Sequence, residues 1–426
     1  MKRSTRSLSL AAALGLSLSL VGCVSQSGSS GGNAAGDPQS AACSQSPGVT
    51  DSSITLGVLT DLSGPVKAGG IPWSQGVQAY FDYANSQLKG VNGRQVKLKV
   101  VDHGYDPRVA LQRYRSLEPD VLTLPLSFGS AANNAVAGEL PNNCMAMIAN
   151  NGSITDSKPN AFYNASTYES QTLNGISWYI DQGHPKPKVA LLYQGDVYGE
   201  GAKAALEYAA AKRGFSIVSE QSYAVSDQSY NGQLAAITAA HPDVVVMAST
   251  VGATFGFFGA AQAAGATWDW LGRQPTFAPA VLKLPIADAY IRNFTISTGQ
   301  PVVDGGGAAT QTAYKQLAAI SPELANDPSS MLGWQAGYLS YQALLVAARS
   351  EAGLTRGSVL KALSTLNVDS DGLGPGHFTF DPKSAEPRVP YDQSSIVKVN
   401  PATPGYLSMV KPYYASDLVP GFLAGR

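Results

Sequence analysis

Side chains suited to binding a small molecule stand where predicted strands end and predicted helices begin. Ser130 begins a predicted helix, where free backbone N–H groups and the helix dipole favour an anion, although its hydroxyl is equally suited to capping that helix alone. Tyr198 lies in a turn between Gly195 and Gly199, from which its ring can reach a cleft. Trp73 opens a further helix and either stacks on a ligand or packs inside the protein. The chemistry predicted from these residues is noncovalent binding.

Catalytic and metal-binding patterns have little support in the chain. The four histidines have no metal-ligand spacing, and neither CxxC nor HExxH occurs. No G-x-S-x-G stands at a strand-to-helix turn, and the three glycines of residues 305–307 lack the Lys-Ser/Thr of a phosphate-binding loop. We therefore expect no enzymatic activity, no metal and no cofactor, with a hydrolase as the alternative from another functional class. The histidines are His103, His184, His241 and His377.

The first 22 residues have the organisation of an export signal. Three basic residues precede an apolar stretch, residues 8–20, which is too short to span a bilayer comfortably. The stretch ends in Leu-Val-Gly followed by Cys23, which resembles a bacterial lipobox. That resemblance implies cleavage before Cys23, a lipid on its sulfur, and a location at the extracytoplasmic face of the bacterial cytoplasmic membrane. The alternative is an ordinary secretory signal followed by a chance cysteine.

Residues 23–49 are predicted to tether the folded body. Their Ser-, Gly- and Ala-rich part, residues 25–42, has no apolar periodicity and cannot bury a core. Such a flexible segment reaches roughly 25 Å, taking about 5–6 Å times the square root of the residue number. No stretch after residue 22 is long and apolar enough to span a membrane.

The charge balance excludes one class of partner. The chain of 426 residues has 29 basic and 30 acidic side chains, and only 14% of its residues are charged. Subtracting the three basic residues of the signal from 29 leaves 26 against 30, a net charge of about −4. Because nucleic-acid binding depends on neutralising phosphates, and no basic stripe is visible, nucleic acid is disfavoured as a partner.

The chain has three cysteines. If a lipid modifies Cys23, an even pair remains in an oxidising compartment, so we expect Cys43 and Cys144 to form a disulfide. Two buried thiols are the alternative.

Strands and helices alternate after the tether, which predicts an α/β fold with parallel sheets and ligand sites beyond the carboxyl ends of the strands. The alternation stops and restarts once, which suggests two Rossmann-like lobes of similar build. Residues 381–426 are rich in proline and predicted to be poor in strands. The main predicted strands are residues 54–60, 96–101, 121–124 and 145–148 in the first array and residues 188–193, 216–221 and 244–247 in the second.

Five segments carry a resemblance to a known family. They are residues 57–65 (GVLTDLSGP), the Asp-Pro pair at 106–107, residues 196–201 (DVYGEG), residues 243–246 (DVVV) and residues 378–381 (FTFD). In this order and spacing, the chain resembles the branched-chain amino acid (leucine/isoleucine/valine) substrate-binding proteins of ABC transporters, which have the type I periplasmic-binding fold.

The resemblance implies a domain organisation and a role. One lobe would comprise residues 50–167 and 299–364, and the other residues 168–298 and 365–426, with a ligand cleft between them and a hinge of three crossover segments. A monomer anchored through its lipid would capture a small molecule by hinge closure and deliver it to an ABC transporter permease. A lipid-anchored sensor that partners a membrane receptor is the alternative.

The resemblance also implies ligand-binding positions. Ser130 matches the serine that contacts the ligand carboxylate, and Tyr198 matches an aromatic residue of the second lobe. Phe128 and Gly129 belong to the loop beside Ser130, and Gly152 and Ser153 to a second carboxylate-binding loop. Thr250 lies near a further aromatic position, and Gln274 near the position of the residue that holds the ligand ammonium.

Departures from the family pattern bear on the ligand. Arg273 and Gln274 stand where the family's amino-acid binders place a glutamate, and an amide cannot compensate an ammonium as a carboxylate does. Gly69 replaces the aromatic residue that follows Ser-Gly-Pro, with Trp73 nearby. We expect Arg273 at the surface and a ligand with an acceptor end but no free α-ammonium. Amino acid-like compounds, aromatic acids, hydroxy acids and amides are the candidate classes.

Overall fold

The computed structural model describes residues 41–150, 152, 160–380 and 389–425. Cys23, Ser153 and the predicted signal peptide lie outside these residues. No helix in the described part of the chain is long and apolar enough to cross a membrane.

The first lobe is built on a parallel five-stranded sheet with strand order β2-β1-β3-β4-β5. The third strand begins three residues later than predicted. Val121 and Leu122 are apolar and buried like strand residues, but they precede the strand. The elements are β1 (Ser53–Thr60), α1 (Lys67–Gln87), β2 (Gln95–Asp102), α2 (Pro107–Leu117), β3 (Leu124–Ser127), α3 (Ser130–Ala137), β4 (Met147–Ala149) and β5 (Ala161–Tyr163).

The second lobe begins with a further alternation of strands and helices, as predicted. Its four helix-connected strands β6 to β9 pair in parallel, and β10 extends them. The elements are α4 (Tyr168–Asp181), β6 (Lys188–Gln194), α5 (Val197–Arg213), β7 (Ser216–Tyr223), α6 (Asn231–Ala239), β8 (Val244–Ala248), α7 (Val251–Ala263), β9 (Asp269–Arg273), α8 (Ala287–Asn293) and β10 (Phe294–Thr298).

The chain then returns to the first lobe and finally to the second. Helix α11 packs along α1, and their backbones approach most closely at Gly76 and Gly333. The last elements are α9 (Ala308–Ile320), α10 (Pro322–Ala325), α11 (Pro328–Ala348), α12 (Arg356–Ser364), β11 (Asn367–Asp369), β12 (His377–Thr379), β13 (Ser394–Val399), β14 (Leu407–Tyr414) and α13 (Leu418–Ala424).

The prediction of a strand-poor C-terminal tail is wrong. Strands β13 and β14 pair antiparallel and complete a seven-stranded sheet with order β14-β13-β10-β9-β8-β6-β7. Two of the prolines that suggested an irregular tail, Pro401 and Pro404, lie in the turn between these strands. A third, Pro412, lies in the edge strand β14. An edge strand has a neighbour on one side only, so a proline, which lacks an N–H, can occupy it without the loss of a hydrogen bond on the other side.

The lobe boundaries stay a prediction, with one refinement. The chain passes between the two sheets three times: after β5, after β10 and before β13. However, Leu373, Phe378 and Phe380 belong to the same buried core as strand β1 and helix α11. We therefore propose that the first lobe extends beyond residue 364, through the β11–β12 hairpin.

The structure contains the predicted disulfide. Cys43 and Cys144 are buried and bonded, with their Cα atoms 5.0 Å apart. The carbonyl of Cys43 accepts a hydrogen bond from the backbone N–H of Gly357 at 2.8 Å. The bridge therefore fastens the start of the described chain to the first lobe.

Candidate ligand-binding site

A cleft lies between the lobes at the carboxyl ends of the strands of both sheets. It encloses about 520 Å³ of space, part of which is open to solvent. Each wall residue follows a strand or stands in the first turns of the next helix, as expected for a site in an α/β fold. The lining residues are Pro65, Val66, Ala68, Gly69, Trp73, Tyr105, Phe128, Gly129, Ser130, Asn150, Tyr168, Tyr198, Thr250, Val251, Gly252 and Pro275.

Two hydrogen-bond donors in the wall of the first lobe have no partner in the part of the chain that the structure describes. Trp73 is only 2% exposed and packs edge-to-face on Phe128, with the ring centroids 5.4 Å apart. Its indole Nε1 and the hydroxyl of Ser130, which is 3% exposed, are both buried without a hydrogen bond. Because leaving a buried polar group unpaired costs free energy, these two groups are suited to a ligand that supplies acceptors.

Ser130 is not the cap of helix α3. The N-cap is Gly129, whose φ of 103° suits a glycine, and the Ser130 hydroxyl makes no capping bond. A Cβ on Gly129 would lie 2.8 Å from the ring of Tyr105. The reading of Ser130 as a capping residue is therefore wrong, and its hydroxyl stays available at the helix start.

Asn150 holds the floor of the cleft together. Its Oδ1 accepts hydrogen bonds from the backbone N–H of Gly129 at 2.8 Å and from Nδ2 of Asn133 at 2.7 Å. Its Nδ2 donates to the hydroxyl of Tyr168 at 3.1 Å. Since Tyr168 begins α4, this amide links the loops after β3 and β4 to the second lobe.

His103 positions the loop that carries Phe128. The backbone N–H of Tyr105 donates to His103 Nδ1 at 3.0 Å, so the ring proton is on Nε2, which lies 2.9 Å from the Phe128 carbonyl oxygen and donates to it. Burial lowers the pKa of His103, although the nearby carboxylates of Asp61 and Asp102 oppose this. The imidazole is thus held neutral behind the cleft wall.

The wall of the second lobe is formed by Tyr198 and Thr250. The hydroxyl of Tyr198 donates to the Ser249 carbonyl at 3.1 Å, and its ring packs edge-to-face on Tyr168 with the centroids 4.8 Å apart. Burial raises the pKa of Tyr198 to about 12, although Arg273 lowers it, so the phenol is neutral at physiological pH. The N–H of Thr250 donates to the hydroxyl of Tyr223 at 3.0 Å.

Arg273 and Gln274 lie behind this wall. Arg273 is only 1% exposed, so the expectation of a surface charge is wrong. Gln274 is also buried and is not among the residues that line the cleft; its backbone carbonyl accepts from the Tyr198 hydroxyl at 3.4 Å. A ligand contact by the Gln274 amide stays a prediction, while the next residue, Pro275, reaches the cleft surface.

The two lobes touch through a hydrogen-bonded group beside the cleft. The hydroxyl of Tyr105, from the loop after β2, donates to Asp196 Oδ2 at 3.2 Å and accepts from Gln194 Nε2 at 3.2 Å. Gln194 Nε2 also donates to the same carboxylate oxygen at 2.6 Å. The other oxygen of Asp196 caps helix α5 by accepting from the Tyr198 N–H at 3.0 Å.

The structure brings together most of the predicted site residues. Trp73, Phe128, Gly129, Ser130, Tyr198 and Thr250 all line the cleft. Gly152 is buried nearby, and its carbonyl accepts from the Tyr168 N–H at 3.3 Å, but it is not a lining residue. Sequence reasoning missed Tyr105, Asn150 and Tyr168, although each follows the end of a strand. The described residues contain no cluster of His, Cys, Asp or Glu that could hold a metal ion.

Comparisons with known proteins agree with this architecture. A family profile described as periplasmic binding protein matches residues 53–400. The chain therefore belongs to the periplasmic binding protein family, whose members bind solutes. The family and the relatives below are substrate-binding proteins and not enzymes, in agreement with the sequence prediction.

Individual relatives are more distant. A curated protein, Leu/Ile/Val-binding protein homolog 3 of Brucella melitensis, is 22% identical over 196 residues, which are 45% of this chain and 53% of the relative. The chain thus matches about half the length of that protein. A fatty acid ABC transporter substrate-binding protein from Thermomonospora curvata is 26% identical, with a TM-score of 0.82, and the match covers 88% of this chain and 96% of that chain. A branched-chain amino acid ABC transporter protein from Thermus thermophilus with bound valine is 18% identical, with a TM-score of 0.74 and coverage of 87% and 98%.

Proposed function

We propose that the protein is a lipid-anchored solute-binding protein that captures a small organic ligand between its lobes and delivers it to an ABC importer. The observation that carries the proposal is the cleft itself. Aromatic rings from both lobes line it, and two buried donors, Trp73 Nε1 and Ser130 Oγ, have no partner among the described residues. A ligand that accepts hydrogen bonds from both donors would remove the free-energy cost of leaving them unpaired.

The composition of the cleft favours a ligand with an apolar body and one polar end. Val66, Phe128 and Val251 supply apolar surface, and the unpaired donors are on the first lobe. The names of the relatives include a fatty acid binder and a valine-bound protein, which supports a small organic solute of this general kind. Ligand pockets typically have this balance of apolar surface and a few placed polar groups.

Capture by closure of the lobes is supported by the contacts at the cleft. The hydrogen bonds of Tyr105 to Asp196 and Gln194, and that of Asn150 to Tyr168, join the lobes directly around the site. A ligand that contacts both walls would add to these bonds, and the three chain crossings between the sheets would serve as the hinge. We expect the protein to act as a monomer and to present its closed form to the permease.

Anchoring rests on Cys23 and the Ser/Gly-rich tether. A tether reach of roughly 25 Å would keep the folded body beside the membrane and free to meet the permease. Detergent-phase partitioning of the wild type and Cys23→Ala tests the anchor. We expect only the wild type to enter the detergent phase, and equal aqueous partitioning would reject the anchor.

The binding role is tested by a thermal-shift screen against a panel of metabolites, followed by calorimetry. A bound ligand stabilises by mass action, about 2.7 kcal/mol at a hundredfold excess over Kd. Ser130→Ala and Trp73→Phe should weaken binding, whereas Ser86→Ala, on the exposed face of α1, should not. Small-angle scattering should show a smaller radius of gyration with ligand. Turnover of the ligand by the protein alone would refute the proposal.

A further inference from the structure

The wall of the second lobe contains a buried cation without an ion pair. The guanidinium of Arg273 packs against two aromatic rings that meet edge-to-face, with Cζ 4.1 Å from the ring centroid of Tyr198 and 4.4 Å from that of Tyr168. Its Nη2 donates to the Tyr198 carbonyl at 2.7 Å and its Nη1 to the Gln274 carbonyl at 3.4 Å, while its Nε has no partner. In the described part of the chain, no carboxylate forms a salt bridge with it.

A buried and unpaired charge is costly, so its position relative to the cleft matters. Both rings that contact Arg273 line the cleft, so only one aromatic layer separates the cation from a bound ligand. Two backbone carbonyls accept hydrogen bonds from the guanidinium, but they carry no net charge and do not neutralise it. The positive potential therefore extends toward the cleft, where the buried surroundings screen it less than water would.

The helix N-termini around the cleft act in the same direction as Arg273. Among the described residues that line the cleft, none is acidic. Helices α3, α4, α5 and α7 all begin at the cleft, with their first-turn residues in its wall, and helix N-termini favour anions. Carboxylates also lie next to lining residues. Asp61 accepts from the N–H groups of Gly64 and Val66, and the buried Glu169 follows Tyr168 in the chain. Both oxygens of Asp196 already accept hydrogen bonds from Tyr198, Gln194 and Tyr105.

We propose that Arg273 makes the cleft selective for monoanions. It acts through the rings of Tyr168 and Tyr198 rather than by touching the ligand. The ligand is then a carboxylate on an apolar body without an ammonium, and its oxygens accept from Ser130 Oγ and Trp73 Nε1. This inference rests on the proposed binding function and adds to it the ligand's charge and the residue that selects it.

The test compares three charge states of the same carbon skeleton. The probes are 4-methylpentanoate, benzoate and octanoate, each with its primary amide and its amine, together with leucine. Their affinities for the purified chain are measured by calorimetry. We expect at least one carboxylate to bind at least roughly tenfold more tightly than its amide, the effect of a cation one ring away in a buried site, and its amine not to bind.

Three variants separate charge from packing. Arg273→Met keeps an apolar stem against the two rings and removes the charge, so it should abolish the preference for carboxylate over amide. Arg273→Lys should keep most of that preference. Arg292→Met removes the same charge from the exposed surface of α8 and should leave the preference unchanged. A merely structural role would weaken carboxylate and amide equally in Arg273→Met.

Each other outcome also decides the question. If an amide, an amine or leucine binds as tightly as the carboxylate, or if the preference survives in a folded Arg273→Met, the charge selection is refuted while the binding function stands. If Arg273→Met does not fold, Arg273→Gln takes its place as the variant that removes the charge, and the three charge states measured on the wild type still decide whether the cleft selects a monoanion. If no probe of any charge binds, the proposed binding function fails together with this inference.

Discussion

Helix α11 is expected to control both stability and the position of the cleft tryptophan through a single close contact. A Cβ on Gly333 would lie 2.0 Å from the carbonyl oxygen of Trp73 and 2.9 Å from the Cα of Gly76. Both neighbours are backbone atoms and cannot rotate away. Gly333→Ala must therefore separate α11 from α1 by about 1 Å or more, which moves the helix that carries Trp73.

The magnitude follows from two opposing effects. Overpacking in a well-packed core costs about 1–3 kcal/mol, and the upper end applies here because backbone must shift. Replacing a glycine inside a helix by alanine stabilises the helix by about 1 kcal/mol, because alanine has the higher helix propensity. We expect Gly333→Ala to lower the free energy of unfolding by about 2 kcal/mol and to weaken ligand binding, because the Trp73 indole is displaced.

Guanidinium denaturation and calorimetry of the same preparation measure both effects. Gly232→Ala in α6 is the matched control, since a Cβ there meets nothing within 4 Å. This control should leave stability unchanged or raise it by up to about 1 kcal/mol. If Gly333→Ala is as stable as Gly232→Ala, the two helices do not pack backbone to backbone and the reasoning is refuted.

Three further predictions concern the support of the first lobe. Cys144→Ser opens a bridge to Cys43 across a sequence separation of 101 residues and should cost about 4–5 kcal/mol in chemical denaturation, a loss that a reducing agent should reproduce in the wild type. Arg356→Met breaks a buried ion pair with Glu118 and should cost about 3 kcal/mol, part of which Arg356→Met/Glu118→Gln should recover. Because the pKa of His103 is lower in the folded than in the unfolded protein, protonation favours the unfolded state. The contribution of His103 to the free energy of unfolding should therefore be largest above its ordinary pKa of about 6.5 and should fall as the pH drops below that value. His103→Gln should flatten this dependence between pH 7 and 5, and an unchanged slope would contradict the assignment.

The alternation of strands and helices was sufficient to predict the fold and one residue on each side of the site. Ser130 and Tyr198 were predicted because a helix start after a parallel strand points to the ligand side of the sheet. Tyr105, Asn150 and Tyr168 follow strands in the same way, but their roles depend on contacts between loops that are distant in sequence. Local patterns contain no information about such contacts.

The errors have physical causes as well. Proline density suggested an irregular tail, yet prolines are compatible with the turn and the edge strand of the β13–β14 pair. Arg273 was expected at the surface because charged side chains are almost never fully buried unless paired. Its carbonyl acceptors and its two aromatic neighbours come from other parts of the chain, so the sequence around residue 273 does not reveal them.

Asp196 connects the charge of the ligand to the closure of the lobes. A zwitterionic amino acid in this cleft would need a carboxylate for its ammonium, and of the carboxylates near the wall Asp196 is the one whose hydrogen bond to Tyr105 joins the lobes. Its oxygens already hold the N-terminus of α5 and the bonds to Gln194 and to Tyr105 of the other lobe. Turning this carboxylate toward an ammonium would remove the contact that joins the lobes and leave the Tyr105 hydroxyl with one partner fewer. A monoanion leaves those bonds intact and also offsets the charge of Arg273, so the same ligand charge favours both binding and the contact between the lobes.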